Sequence, residues 1–258
     1  MDLVFVFIIG AIIGSFLNVC IYRMPRGQSI VFPASHCPHC KRDLLWYDNI
    51  PILSYFLLMG RCGFCRKRIS MRYPLVEALT AVIILFCYRA FGIQAKFFMY
   101  SALVSALIVV TFIDFDYNEI PDEISIGGLV AGLIAALAFP SIFDTNLRLI
   151  ALKDSVLGAL AGGGAIYIMG VVGKSIFRKE AMGGGDVKLM AMVGSILGWK
   201  LALLTFFVAP FFGAVVGLFL RIADGRETIP YGPYLSLAAT IAVFFGNDIM
   251  RRLFAGVF

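Results

Sequence analysis

The chain has 258 residues, of which 60% are hydrophobic and only 15% charged, with a net charge of +6. Soluble domains carry roughly 25% charged and under half apolar residues, so this composition excludes an ordinary soluble enzyme and belongs to a polytopic membrane protein. The positive charge fits that class, because basic residues gather in cytoplasmic loops against anionic lipid; no RNA- or DNA-binding motif accompanies it, and no nucleic-acid partner is expected.

About 20 apolar residues cross a bilayer, and residues 3–22 supply the first such run. Met1-Asp2-Leu3 offers no basic n-region and no cleavage site follows, so this segment reads as a retained span. A polar insert, 23–73, comes next. Apolar runs then predict spans over 75–91, 97–113 and 124–140, a polar loop over 141–153, and a span over 154–173. A loop with Lys174, Arg178, Lys179 and Glu180 leads into a short sixth span, 187–199, followed by 201–220 and 233–247. The expected fold is all-α, with about eight transmembrane helices and a small four-cysteine insert between the first two. The expected domains are a first helix (1–22), the insert (23–73) and a seven-helix membrane domain (74–258). If the insert is cytoplasmic, 15 Lys and Arg share its side, including Arg226, against 7 opposite. That bias puts the N-terminus outside and all candidate chemistry on the cytoplasmic face. Gly158, Gly162, Gly163, Gly164, Gly170 and Gly173 make the fifth span a close-packing helix.

Cys37-Pro38-His39-Cys40 and Cys62-Gly63-Phe64-Cys65 stand 21 residues apart. Paired C-x2-C knuckles are the sequence form of a tetrahedral zinc site. Gly63 suits the tight turn, and His36 and His39 read as solvated neighbours. Four thiolates leave no open position, so the Zn2+ is structural and folds an insert with little core of its own. Cys20 and Cys87 lie in apolar runs as small buried hydrophobes. Between the knuckles, Leu45 to Tyr55 mixes aromatic and polar residues as segments at a membrane interface do. Glu77 lies a turn into the second span, where an unpaired charge is costly; an ion pair with Arg72 or Arg23 and a ligand-binding carboxylate are both open readings.

A second acidic cluster, Asp114 to Glu123, follows the third span. Asp116 and Glu119 read as solvated loop charges, and Asp122, after Pro121, as the N-cap of the fourth span. Asp114 is less ordinary: it sits at the end of an apolar helix, where the macrodipole disfavours a carboxylate. Gly183-Gly184-Gly185-Asp186 delivers another carboxylate to the mouth of the sixth span. A lone Asp there would be a capping residue, but three glycines exceed what a cap needs and permit positive φ and close backbone approach. Two carboxylates about 3 Å apart cannot both ionise, so one keeps a proton while the other activates a water. The helix ends suggest an ionised Asp186 and a protonated Asp114, titrating as a unit. A proton-relay transporter and a zinc-dependent assembly protein are competing readings of the same acids and cysteines.

Asp114-x7-Asp122 with Ile120-Pro121-Asp122, and then Gly183-x-Gly185-Asp186 with Lys188, resemble the GxGD-type aspartyl proteases, and within them the bacterial type IV prepilin peptidases. Gly14 to Val19, the two knuckles, Tyr47-x-Asn49-Ile50-Pro51, Arg72-Tyr73-Pro74-x-x-Glu77 and Ile229 to Pro233 extend the resemblance nearly end to end. It implies catalytic aspartates at Asp114 and Asp186, with Asp122 in the motif but not catalytic. It implies removal of a short basic leader from prepilins and pseudopilins, after a Gly that precedes a Phe, at the inner membrane. It also implies N-methylation of the new terminus with S-adenosylmethionine, with the intact insert marking a bifunctional member; a peptidase with a merely structural insert is the narrower alternative. No glycine-rich donor-binding signature is present. Asn18, Arg23, Arg72 and Glu77 are the methyl-donor residues suggested by their place on one face.

Overall fold

The structure is a computed structural model and describes residues 2–177, 182–224 and 230–254. Among these it is all-helical, with no strand. The helices are α1 (Leu3–Arg23), α2 (Leu53–Leu57), α3 (Arg72–Phe91), α4 (Ala95–Tyr117), α5 (Asp122–Ala138), α6 (Arg148–Phe177), α7 (Gly184–Leu197), α8 (Trp199–Asp224) and α9 (Gly232–Phe254). Six of them, α1, α3, α4, α6, α8 and α9, are long and apolar enough to cross a membrane. Helices α5 and α7 stand where the fourth and sixth spans were expected, but have 17 and 14 residues. Arg178, Lys179, Glu180, Arg226 and Ile229 lie outside the described residues.

The ends of α4 and α6 run past the apolar runs that predicted them. Helix α4 continues through Asp114 to Tyr117 before Asn118, in the left-handed region at φ 53°, returns its N–H to the Asp114 carbonyl and ends it. Helix α6 begins at Arg148, inside the expected polar loop, after a short 3-10 turn over Pro140–Phe143.

The chain divides into two compact units, Met1–Gly92 and Ile93–Phe258. In the first, α1 packs along α3. Small residues make this possible: a Cβ on Gly10 would come within 2.6 Å of the Ala81 Cα, and one on Gly14 equally near the Glu77 Cα. Such spacings bring membrane helices into backbone contact. In the second unit α7 is the interior helix, packed by α5, α6 and α8 and buried almost continuously from Leu189 to Leu197. Helix α9 packs on α8 and α4.

Candidate active and metal sites

The insert is built on two knuckles of the same design. Cys37 and Cys62 each accept at their carbonyl the N–H four residues on, from Lys41 and Arg66 at 3.0 Å. Each then donates its own N–H to the next carbonyl, Arg42 at 3.0 Å and Lys67 at 2.9 Å. Isolated bridges His36–Asp43 and Arg61–Arg68 close the two loops. Gly63 lies within the turn of the second knuckle, as expected, but without a positive φ; the left-handed residues are Lys41 (φ 59°) and Arg66 (φ 57°), just after the second cysteine of each pair. All four sulfurs lie within 4.8 Å of one another, with Cys37 and Cys65 Sγ 3.9 Å apart, and none is in a disulfide. A tetrahedron of zinc–sulfur bonds of about 2.3 Å holds its sulfurs roughly 3.8 Å apart, so the donor set fits Zn2+ in both chemistry and spacing.

Beside the knuckles, in the same unit, is a cavity of about 430 Å³. Its wall takes residues from α1 (Asn18, Tyr22, Arg23), from the insert (Cys37, Asp48, Tyr55, Cys62) and from α3 (Tyr73, Glu77). Of the four residues suggested for a methyl donor, Asn18, Arg23 and Glu77 are on this wall, and Arg72 is not. The Arg23 guanidinium is spent on the insert: it donates to the carbonyls of Ser29 (3.0 Å), Pro33 (2.8 Å) and Ala34 (3.3 Å). Asn18 donates to the Tyr73 carbonyl at 3.0 Å, tying α1 to the start of α3. Glu77 is only 8% exposed. It accepts the Ile52 N–H at 2.7 Å and the Ser15 hydroxyl. With the Arg23 guanidinium committed to the insert, these donors, and not an ion pair with Arg23, are the partners of the Glu77 carboxyl.

In the second unit the Asp114 and Asp186 carboxylates are both buried, 5% and 8% exposed. Asp186 is not the N-cap of α7. Gly183 holds that place and Asp186 is the third helical residue, its Oδ2 reaching back to accept the Gly183 N–H at 3.1 Å. That is the carboxylate half of a capping box; glycine has no side chain to supply the other half. Asp114 projects from the last full turn of α4, yet its Oδ2 accepts the N–H of Gly232, the first residue of α9, at 2.9 Å. Asp114 stands at the C-terminal end of its own helix and Asp186 near the start of α7, as expected; but Asp114 also meets the positive end of α9, which offsets the contrast of helix ends that gave Asp186 the anion and Asp114 the proton.

Ile120 joins the pieces. A Cβ on Gly185 would lie 3.1 Å from the Ile120 Cβ, and one on Gly232 would lie 3.4 Å from its Cδ1 and 2.7 Å from the Asp114 Oδ2. The described glycines of the 183–185 run have no positive φ. Gly185 is needed for the approach of the Ile120 side chain, and Gly184 faces open space beside the carboxylate. Pro121, not Asp122, is the N-cap of α5. Asp122 instead pairs with Lys188, two residues beyond Asp186, at 2.7 Å, a half-exposed bridge between the starts of α5 and α7. Such pairs contribute about 0–1 kcal/mol. Asp116 and Glu119 are exposed, as expected, but Asp116 lies in the last turn of α4 rather than in a loop.

Two residues at this site had no role in the sequence reading, Gly232 and Tyr231. Tyr231 is half-buried, with no hydrogen-bond partner for its hydroxyl among the described residues. Burial, and behind it the Asp186 charge, push that hydroxyl up to about 12, so it stays protonated at any working pH. The signal available was Pro230-Tyr231-Gly232-Pro233: two prolines bracketing a glycine at the start of a helix mark a fixed backbone rather than a linker.

A sequence model described as the bacterial peptidase A24 N-terminal domain matches residues 8–91, and one described as the type IV leader peptidase family matches 101–218. A prepilin leader peptidase/N-methyltransferase of Myxococcus xanthus is 43% identical over 223 residues, 86% of this chain but 64% of that protein, so the chain spans under two thirds of it. A protein of the same description from Pseudomonas putida is 33% identical over 267 residues, 94% of this chain and 90% of the relative. The type 4 prepilin-like proteins leader peptide-processing enzyme of an Escherichia coli strain is 36% identical over 253 residues, 91% of each chain. No solved structure matches the chain.

Proposed function

The chain belongs to the type IV leader peptidase family, and from that premise we propose that it cleaves the leader of type IV prepilins and pseudopilins and then N-methylates the new terminus. The observation that carries the peptidase half is the pair of buried carboxylates, Asp114 and Asp186, each anchored by a backbone N–H at a helix start. They share one proton. The ionised member takes a proton from a water as that water attacks the scissile carbonyl, and the protonated member donates to the carbonyl oxygen. Collapse of the tetrahedral intermediate returns a proton to the leaving amine. Gly185, Gly183 and the Asp122–Lys188 bridge hold the starts of α5 and α7 in register, with Pro121 fixing entry to α5. Activity requires the singly protonated pair, so it falls at both low and high pH.

For the methyl transfer, the cavity of about 430 Å³ is the site we assign to S-adenosylmethionine. It is within the range of about 300–1,000 Å³ usual for small-molecule sites, and its tyrosines suit an adenine ring. Asn18, Arg23 and Glu77 line this space, Arg23 with its guanidinium committed to the insert, while Arg72 serves it at one remove, through the start of α3. The donor supplies an electrophilic methyl on a sulfonium; the chain supplies the enclosure and the hydrogen bonds. Zn2+ on Cys37, Cys40, Cys62 and Cys65 keeps the insert folded as one wall. We read α5 and α7 as membrane-crossing too, for eight passes; α7 is enclosed by other helices, so its length need not match the hydrocarbon. The roles divide as a first span (1–22), a methyl-transfer insert (23–73) and a membrane domain with the peptidase site (74–258). The protein sits in the inner membrane with both sites toward the cytoplasm, where the basic leader and the methyl donor are found.

Mass spectrometry of a synthetic prepilin incubated with the enzyme and S-adenosylmethionine reads both steps at once; leader loss with no methyl gain would leave only the peptidase half. Two variants separate the machinery. Gly232→Ala aims a methyl at the Asp114 Oδ2, 2.7 Å away, and displaces the far end of a side chain rather than backbone. Cleavage should fall about 100-fold, as for a misplacement of the order of 1 Å, with circular dichroism unchanged. Stripping the metal with a chelator should abolish methylation first, with leader removal surviving and Zn2+ restoring the loss; equal loss of both activities would mean the metal is not specific to the methyl-transfer half.

A further inference from the structure

Two carboxylates lie on the wall of the unit-one cavity, Asp48 and Glu77. Asp48 is turned toward the second knuckle, where its Oδ1 would lie 3.6 Å from a Cβ on Gly63. Glu77 is the buried one and is steered from two sides, by the Ile52 N–H and the Ser15 hydroxyl. The Ile52 N–H is delivered at some cost to its own backbone: a β-branched residue stands at φ 64°, ψ −53°. Strain of that kind persists only where the surroundings over-determine it, and it gathers at functional sites. An ionised carboxyl has about four acceptor positions, so two remain after these bonds.

Resting on the assignment of this cavity to methyl transfer, we propose that Glu77 is the catalytic carboxylate that receives the newly exposed N-terminal ammonium of the cleaved pilin. Two cationic centres meet in this reaction, the donor sulfonium and the acceptor ammonium, and charge flow decides between them. Positive charge leaves sulfur in the transition state, so a carboxylate against the sulfonium stabilises the ground state and opposes transfer. Positive charge develops on the attacking nitrogen, so a carboxylate there stabilises the transition state. A sulfonium also has no hydrogen to donate, whereas an ammonium has three, matched to the open acceptor positions of Glu77. Glu77 takes one proton from the ammonium, freeing the lone pair that forms the C–N bond. The C–S bond breaks with its pair left on sulfur, and Glu77 passes its proton to water. The other charged groups on the wall, Arg23, His36, His39, Asp48 and Arg68, lie on α1 and the insert, and Arg23 is already occupied by carbonyls.

The test uses the full-length, zinc-loaded enzyme with S-adenosylhomocysteine bound, and a short peptide beginning with Phe, either with a free amine or N-acetylated. A charge-assisted hydrogen bond gives the parent about a tenfold or greater preference for the free amine. Glu77→Gln abolishes the preference, keeps parental affinity for S-adenosylhomocysteine, and lowers the methylation rate about 100-fold with donor KM unchanged. Asp48→Asn keeps the preference. If Glu77→Gln retains it, or if donor KM rises instead, the proposal is overturned. Should Glu77→Gln fail to fold, Glu77→Asp carries the test, since withdrawing the carboxylate by one methylene must reduce the preference several-fold; an unchanged preference overturns it. Failure of the underlying assignment looks different. Ser54→Trp fills the cavity and must abolish S-adenosylhomocysteine binding, and binding that persists places the donor elsewhere.

Discussion

Asn at position 114 or at position 186 abolishes leader removal while leaving the protein folded and inserted. Asn matches Asp in shape and keeps one carbonyl oxygen, so Gly232 N–H and Gly183 N–H retain acceptors and the helix starts stay where they are. What is lost is the shared proton. A dyad with one amide has no partner able both to take a proton from water and to return one to the leaving amine. The rate loss should be at least about 10³-fold for either single variant, and the double variant should be no worse than the worse single, because the pair acts as a unit. The parent should show a bell-shaped rate against pH whose two limbs belong to the pair jointly. Electrophoresis of a processed prepilin reads the rates, and donor binding in the first unit confirms that each variant is intact. Cleavage that survives Asp186→Ala, or a profile flat through its acidic limb, would refute the dyad.

How much of this was legible beforehand follows from the range of the forces involved. Apolar length marked each long helix, because burying twenty consecutive side chains leaves a contiguous trace. It misplaced the ends of α4 and α6, since backbone hydrogen bonds carry a helix on through polar residues such as Asp116 once it has formed. The four-cysteine cluster was readable because C-x2-C is local geometry. Of the two uses credited to Gly183–Gly185, positive φ is absent and close approach is realised at Gly185, by the Ile120 side chain rather than by backbone, while the left-handed positions of the insert fall to Lys41 and Arg66. The Asp114 partner was out of reach. It is a backbone N–H 118 residues away, and no periodicity encodes which helix start will arrive beneath a given carboxylate. The cavity is of this second kind, its wall gathered from two helices and the insert, so Asn18 and Glu77 could be suggested by face but not by contact.

Substitution of Gly158 by Ala should destabilise the membrane domain more than any change at the dyad. A Cβ there would fall inside the contact distance of the Gly194 carbonyl, and one on Gly194 would meet the Gly158 carbonyl in the same way, so neither helix has a side chain that can swing aside. The two glycines let α6 lie backbone to backbone on α7. Nearby, Ser155 on α6 donates to the Ser195 carbonyl on α7 at 2.6 Å. An added methyl must separate the helices over this stretch, stranding the Ser155 hydroxyl in an apolar interior. Overpacking of about 1–3 kcal/mol then adds to roughly 1–3 kcal/mol for an unsatisfied buried polar group. The loss is of the order of a small domain's whole margin. Helix α7 also carries Asp186, so cleavage should fall together with the thermal midpoint measured in detergent, whereas Gly232→Ala lowers cleavage alone. Gly164→Ala is the matched control on α6: its added Cβ meets nothing within 4 Å, and it should stabilise slightly through helix propensity. Equal midpoints for Gly158→Ala and Gly164→Ala would show that the α6–α7 contact is not what holds Asp186 in place.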